Sequence, residues 1–427
     1  MHISVDFWID RTEHPDEVLA DRSEISRLVR DAFRDDPNLV DLANYPDTLP
    51  GSTVAECIRS VSKQDTVDLY YHDGDLVSTA DYARYEENLN LGGLTDTTVV
   101  RFGIVLRRAD MRTWPTRDEV MRSRETADLD RFQENALFPA DVVAILNESA
   151  DGEWYFVQSH NYAAWAPRES IAIGDRDQIA EYRDAGDFLV VAGNAIATNF
   201  NPRVEALSEL RLDMGVRLPL LQGDDLDLHV DGQNPASSYA VSLPVRGDGG
   251  ELQFRTALIA RNQDVSIGYM PFTRRNILHQ AFKFLGERYG WGHAYNARDC
   301  SGLVMEVYKT FGIPLPRNTL QQQDSPIGDS VRFSPGASAE TKLEALARAD
   351  VGDLLYSPGH VMLYLGNVDG EPFVIHSLFG AGWIDTDGDF REGVLNGVAV
   401  TPLEKVYESA DATYFDRLHS IKRIGRA

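Results

Sequence analysis

One cysteine and two histidines are the residues of this chain best placed to do covalent chemistry. Cys300 lies in Asp299-Cys-Ser-Gly, His360 in Gly359-His-Val-Met-Leu-Tyr-Leu-Gly, and His376 in Ile375-His-Ser. A thiolate can attack a carbonyl carbon. An imidazole can take the thiol proton and later return it to a leaving amine. A second imidazole can fix the tautomer of the first. Cys300, His360 and His376 are therefore the expected catalytic residues of an amide-cleaving site.

The elements that must position them are legible around each one. Asp299 is an expected N-cap, which puts Cys300 in the first turn of a helix. Leu303, Val304, Val307, Tyr308 and Phe311 form the apolar face of that helix, and Gly312 ends it. Unpaired amides and the positive helix end would favour a thiolate there and hold an oxyanion, the Cys300 amide among them. That arrangement predicts a bell-shaped pH dependence. Upstream, Thr273 caps a helix with Ile277, Leu278, Ala281, Phe282 and Leu285 on its apolar face, ending near Gly286. Downstream, His360 opens an alternating strand, and Asn367-Val-Asp-Gly turns it back toward His376. A two-residue loop would put the histidines on opposite faces. A three-residue Val368-Asp-Gly loop pairs Asn367 with Glu371, sets Met362 opposite His376 and leaves His360 as its diagonal neighbour. The chemistry requires that second register, and it is the one expected.

Other candidates carry less. Cys57, on the apolar stretch Thr53–Val61, reads as a packed small hydrophobe. His279 and His293 lack tight ligand spacing to Cys300, the only nearby thiol, so neither a metal nor a cofactor is expected. Trp154 and Trp165 read as barrel core. No two carboxylates stand out as a glycosidase pair, and no phosphate-binding or Gly-x-Ser-x-Gly signature occurs.

Composition bounds the rest. At roughly 150 residues per domain, 427 residues suggest about three domains. With 41 Lys+Arg against 67 Asp+Glu the net charge is −26, which argues against nucleic acid and anionic membrane surfaces and fits a salt-adapted host. No run approaches the ~18 apolar residues of a membrane span. The start, Met1-His-Ile-Ser-Val-Asp, is no signal peptide. The expected location is cytoplasmic if the sequence is full length, and periplasmic or cell-envelope if a leader was removed. A monomer is expected.

Along the chain, residues 1–75 read as a helical N-terminal clip, residues 76–185 and 186–268 as two small SH3-like β-barrels, and residues 269–427 as an α+β domain. Strands are expected at Val99–Arg107, Pro139–Leu146, Glu153–Gln158 and Glu169–Ile173, with a helical link at Gln178–Tyr182.

The last domain resembles the NlpC/P60 family of cysteine peptidases over about residues 271–403. Carrying the resemblance are Tyr289-x-Trp-Gly, Asp299-Cys-Ser-Gly-Leu-Val, Gly312-Ile-Pro-Leu-Pro-Arg-Asn-Thr-Leu-Gln-Gln, Gly352-Asp-Leu, Gly359-His-Val-Met-Leu-Tyr-Leu-Gly and Ile375-His-Ser. Asp151-Gly-Glu-Trp-Tyr-Phe-Val and Ala164-Trp-Ala-Pro resemble bacterial SH3 (SH3b) domains. The whole order is similar to γ-D-glutamyl-L-diamino acid endopeptidases. That likeness implies a multidomain chain ending in a papain-like NlpC/P60 domain. It also implies a substrate, the peptidoglycan stem peptide L-Ala-γ-D-Glu-diamino acid, with a free N-terminal L-Ala selected by an SH3b wall. Asp299 matches the carboxylate that binds the amine, and Tyr289, Ser301 and Thr319 match groove residues around D-Glu. Glu134 is carried over as a second carboxylate from the barrel. His293, where the family often has glycine, is expected at the groove. The alternatives are a non-catalytic wall-binding protein, and a CHAP-like amidase acting on another amide.

Overall fold

The computed structural model describes residues 2–223, 226 and 228–425. The chain forms two compact units. One comprises Leu39–Gly268 with Gly290–Asn296; the other comprises Met1–Asn38, Tyr269–Tyr289 and Ala297–Ala427.

In the first of these units, seven antiparallel strands run in the order Ile171–Gly174, Arg101–Val105, Val142–Glu148, Trp154–Gln158, Ala163–Pro167, Ala109–Arg112, Gln133–Leu137. Asp151-Gly152 makes the turn into Trp154–Gln158, with Gly152 at φ 73°. Trp154, Phe156 and Trp165 fill the core of this sheet. The helices Gly51–Val61 and Thr79–Asn88 pack Val54, Ile58, Tyr82 and Tyr85 into that same core. A second β-domain follows the helix Arg176–Arg183. Its five strands run Leu252–Ala260, Ser238–Arg246, Arg217–Leu221, Phe188–Val191, Val265–Ile267 around Leu189, Val191, Leu218, Val241 and Ile259.

Residues 1–75 are not one clip. The described part of the first 38 residues packs within the other unit. The strand Val18–Ala20 pairs with Phe272–Thr273, and Trp8 packs on Phe373. Asp21 and Glu24 close a capping box that starts the helix Arg22–Asp35. Residues from Leu39 onward fold with the barrels. The physical reason is that each half buries its own apolar stripe, Trp8 and Ile25 on one side and Val54 and Ile58 on the other.

The C-terminal sheet runs Asp329–Arg332, Ser420–Arg423, Leu354–Ser357, His360–Val368, Glu371–Ile384, Tyr407–Ser409, Ala412–Thr413, and Phe390–Pro402 also pairs with Glu371–Ile384. The helix Cys300–Lys309 lies against it with Leu303, Val304, Val307 and Tyr308 buried, and Phe311 continues that face just beyond. Gly312 at φ 81° ends that stretch, a conformation that glycine adopts without steric cost. The preceding helix, Arg274–Phe282, stops short of Gly286, and Phe284 takes the core position expected of Phe282 and Leu285.

Candidate functional site

Asp299 starts the nucleophile helix as expected: its Oδ1 accepts from Gly302 N–H at 2.8 Å. Cys300 is therefore the first helical residue. The segment before it is pinned from below. Arg298 is fully buried, bonded to Glu306 (3.0 and 2.8 Å) and to Glu287 (2.5 Å). Its carbonyl accepts from Ser377 Oγ at 2.8 Å, one residue after His376. The thiol meets the hydroxyl of Thr319, with Sγ 3.7 Å from Oγ1, and the backbone N–H of Val361, the neighbour of His360.

The histidine hairpin reaches the required geometry by a different route from the one expected. Its loop is the two-residue Asp369-Gly370, with φ of 53° and 89° and Val368 opposite Glu371. A β-bulge at Leu365 then shifts the register, so that Tyr364 faces Val374 and Leu363 faces Ile375. Continued by one residue, that register sets Met362 opposite His376 and leaves His360 diagonal to it. The bulge restores the phase that the short loop would have lost.

The two imidazoles are in direct contact, His360 Nε2 lying 2.8 Å from His376 Nδ1. The far nitrogen, His376 Nε2, lies 2.9 Å from Thr401 Oγ1. For His360 to act as a base through Nδ1, its Nε2 must carry a proton and donate it to His376 Nδ1. His376 must then carry its own proton on Nε2, toward Thr401. The Thr401 hydroxyl can accept that last proton, so the contacts are compatible with the tautomers a base at His360 Nδ1 requires.

Burial governs the charges. It pushes the Cys300 thiol up to about 11, with the neighbouring Asp299 charge acting in the same direction. It pushes His360 down to about 4, against the pull of Asp299, and His376 well below its ordinary value. At this sulfur, burial works against the helix end. A helix terminus contributes roughly 0.3–1 kcal/mol, less than one pKa unit, at about 1.4 kcal/mol.

The expected substrate-binding residues are distributed as follows. Asp299 and Ser301 lie on either side of Cys300, and both are tied to a residue without an expected role, Arg317. Its guanidinium bonds Asp299 Oδ2 at 2.6 Å and Ser301 Oγ at 2.7 Å, with all three residues buried. Thr319 opens the helix Thr319–Asp324 beside the sulfur. Tyr289 is buried, bridged to Arg298, its ring edge-on to Phe379 at 6.2 Å. Glu134 belongs to the barrel unit, where its carboxylate accepts from Thr113 Oγ1 at 2.6 Å and from the Tyr162 hydroxyl. His293 does not line a groove. It is fully buried in the barrel unit, edge-on to Phe138 at 5.5 Å, and its carbonyl accepts from Arg108 at 2.7 Å. The backbone at Gly292, His293, Tyr295 and Asn296 is left-handed throughout, which turns His293 into that packing. Sequence reasoning also missed Thr401 and Tyr414. Arg317 stands inside a quoted motif, so a buried acid needing a partner was a usable signal; for the other two nothing in the spacing pointed to the site.

Residues 119–167 match the model of the SH3 domain of the SH3b1 type, and residues 286–386 match the NlpC/P60 family. Dipeptidyl-peptidase 6 of Lysinibacillus sphaericus is 28% identical over 115 residues, 27% of this chain and 36% of that protein. The matched region thus spans about a third of that curated relative. An NlpC/P60 endopeptidase from Photobacterium damselae subsp. piscicida superposes with a TM-score of 0.76 at 17% identity, covering 98% of this chain and 97% of the other. An NlpC/P60 family protein from Bacillus cereus ATCC 10987 gives a TM-score of 0.50 at 18% identity over 76% of this chain and 99% of its own. At such identities the likeness concerns the fold. The chain therefore carries one segment that matches the SH3b1 type and, toward its C-terminus, one that matches the NlpC/P60 family, and Cys300, His360 and His376 all lie within the second.

Proposed function

We propose that this chain is a cysteine endopeptidase that hydrolyses the γ-D-Glu–diamino acid bond of peptidoglycan stem peptides bearing a free N-terminal L-Ala. The observation that carries the reading is the 2.8 Å contact between His360 and His376, on the strand whose Val361 amide touches the Cys300 sulfur. In this reading His360 Nδ1 removes the thiol proton as sulfur attacks the carbonyl carbon. The Cys300 N–H, which lies outside the helix ladder, holds the oxyanion. His360 then protonates the departing amine, leaving a thioester. Water, deprotonated by the same imidazole, releases the acid and restores the thiol. His376 keeps the tautomer that this sequence of transfers needs.

Substrate choice rests on the resemblance and on one relative's name. A dipeptidyl peptidase releases a dipeptide, and L-Ala-γ-D-Glu is one. Asp299 would bind the amine while sharing its carboxylate with Arg317. Tyr289, Ser301 and Thr319 would contact the D-Glu portion, and Glu134 would offer a second carboxylate. The test is digestion of L-Ala-γ-D-Glu-diaminopimelate, its lysine counterpart and intact sugar-linked muropeptides, read by mass spectrometry. The reading expects L-Ala-D-Glu and the free diamino acid from the unblocked peptides only. Release of the sugar from L-Ala would mark an amidase instead. Binding to peptidoglycan with no product would mark a wall-binding protein.

A further inference from the structure

Tyr414 lies beyond the residues that match the family model, yet its ring lies against both histidines. The ring centroids are 5.1 Å from His360, tilted by 40°, and 5.6 Å from His376, edge-on at 83°. Tyr414 is 6% exposed, whereas His360 keeps part of its surface open. The ring therefore packs over the imidazole pair while His360 keeps part of its own surface open. Its backbone is fixed. Thr413 caps the short helix Tyr414–Arg417 through a reciprocal capping box with Asp416, and Tyr414 N–H donates to the Val406 carbonyl at 3.0 Å. Phe415 and Leu418 anchor the same turn in the core below. A ring so held is a fixed wall.

We propose that Tyr414 is a positioning residue: its ring holds His360 in the plane that aims Nδ1 at the nucleophile and keeps water off the imidazole pair. This rests on His360 being the base. The histidine pair is anchored at one end by the Thr401 hydroxyl, but a hydrogen bond along the ring edge does not stop the rings from rocking. A ring packed 5.1 and 5.6 Å from them leaves less room for that motion. The titratable groups around His360 are His376 on the next strand, Cys300 and Asp299 at the helix start, and Tyr414 itself, behind which stands Glu408. The cation tied to this group, Arg317, is paired with Asp299, so water exclusion by Tyr414 is the property of the wall that a change of ring would alter most.

The experiment compares Tyr414→Phe, Tyr414→Leu and Tyr414→Met in the full chain. Tyr414→Phe keeps the ring and should stay within about threefold of the parent kcat. Tyr414→Leu and Tyr414→Met should lower kcat by about 10- to 100-fold with little change in KM, and should move the acid limb of the pH profile up toward the ordinary histidine value. The second of these variants fills the space if the first does not fold. Titration of the His360 and His376 ring resonances by NMR reads the same wall without any substrate. An upward shift there supports the packing claim even if His360 proves not to be the base, while His360→Ala with full activity would sink the catalytic reading alone. Unmoved resonances and an unmoved kcat in the leucine and methionine variants would overturn the proposal. So would equal damage in the phenylalanine variant, which would assign the effect to the hydroxyl.

Discussion

The two cysteines of this chain both sit on helices, but at different positions and among different neighbours. Cys57 lies inside the helix Gly51–Val61, half-buried against the first barrel core, and that helix begins after Pro50 with no side-chain cap. Cys300 is the first residue of its helix, held by the Asp299 cap, with Thr319 and the Val361 amide at its sulfur. Burial raises the pKa of both thiols. The difference is the surroundings: one sulfur packs against apolar side chains, and the other meets the Thr319 hydroxyl and the amide next to His360, which is paired with His376. In the proposed mechanism, reactivity comes from His360 acting as base at the moment of attack, and a standing thiolate is not required.

That comparison can be broken or sharpened in order of effect. His360→Ala should lower kcat by about 10²–10⁴-fold, the usual worth of a positioned general base, and should leave the alkylation of Cys57 unchanged. Arg317→Leu comes next. It strands the buried Asp299 carboxylate at the head of the Cys300 helix and should cost about 3–5 kcal/mol in urea unfolding. The Cys57 helix, with no such pair, has no equivalent weak point.

The pH profile follows. His360 must be neutral to accept the proton, so kcat/KM should fall only as pH drops toward about 4. Cys300 must still hold the proton that His360 will hand to the leaving amine, so the alkaline fall should come only as pH rises toward about 11. A wide plateau between those limits is the expected result. A limb near 8 would restore the ion pair expected from the helix end alone. Smallest is Cys57→Ala, which should keep activity within about twofold and cost about 1 kcal/mol or less in thermal unfolding.

The sequence made the nucleophile helix readable because cap, apolar face and stop are all local: Asp299, then Leu303, Val304, Val307 and Tyr308, then Gly312. The histidine hairpin was readable in outcome but not in cause. The expected three-residue loop and the observed two-residue loop with a bulge lead to the same faces. Gly366, at φ 123° beside the bulge, was the signal for it, since a glycine inside a strand often marks one. Arg317 was within reach, as a basic residue in the motif beside an acid that needs a partner, but Thr401 and Tyr414 were not legible as site residues. Their roles arise from long-range packing, and neither the hydroxyl against His376 nor the ring over His360 has a local pattern to betray it. The clip expected over residues 1–75 failed for the same reason: helical periodicity shows that a stripe must be buried, not which core buries it.

The most direct test of the central claim, that the Cys300 sulfur does the chemistry, is to follow L-Ala-γ-D-Glu-diamino acid by mass spectrometry with the parent chain and with Cys300→Ala. The account predicts L-Ala-D-Glu and free diamino acid from the parent and none from the variant, while a folded variant that releases them at the parent rate would contradict it.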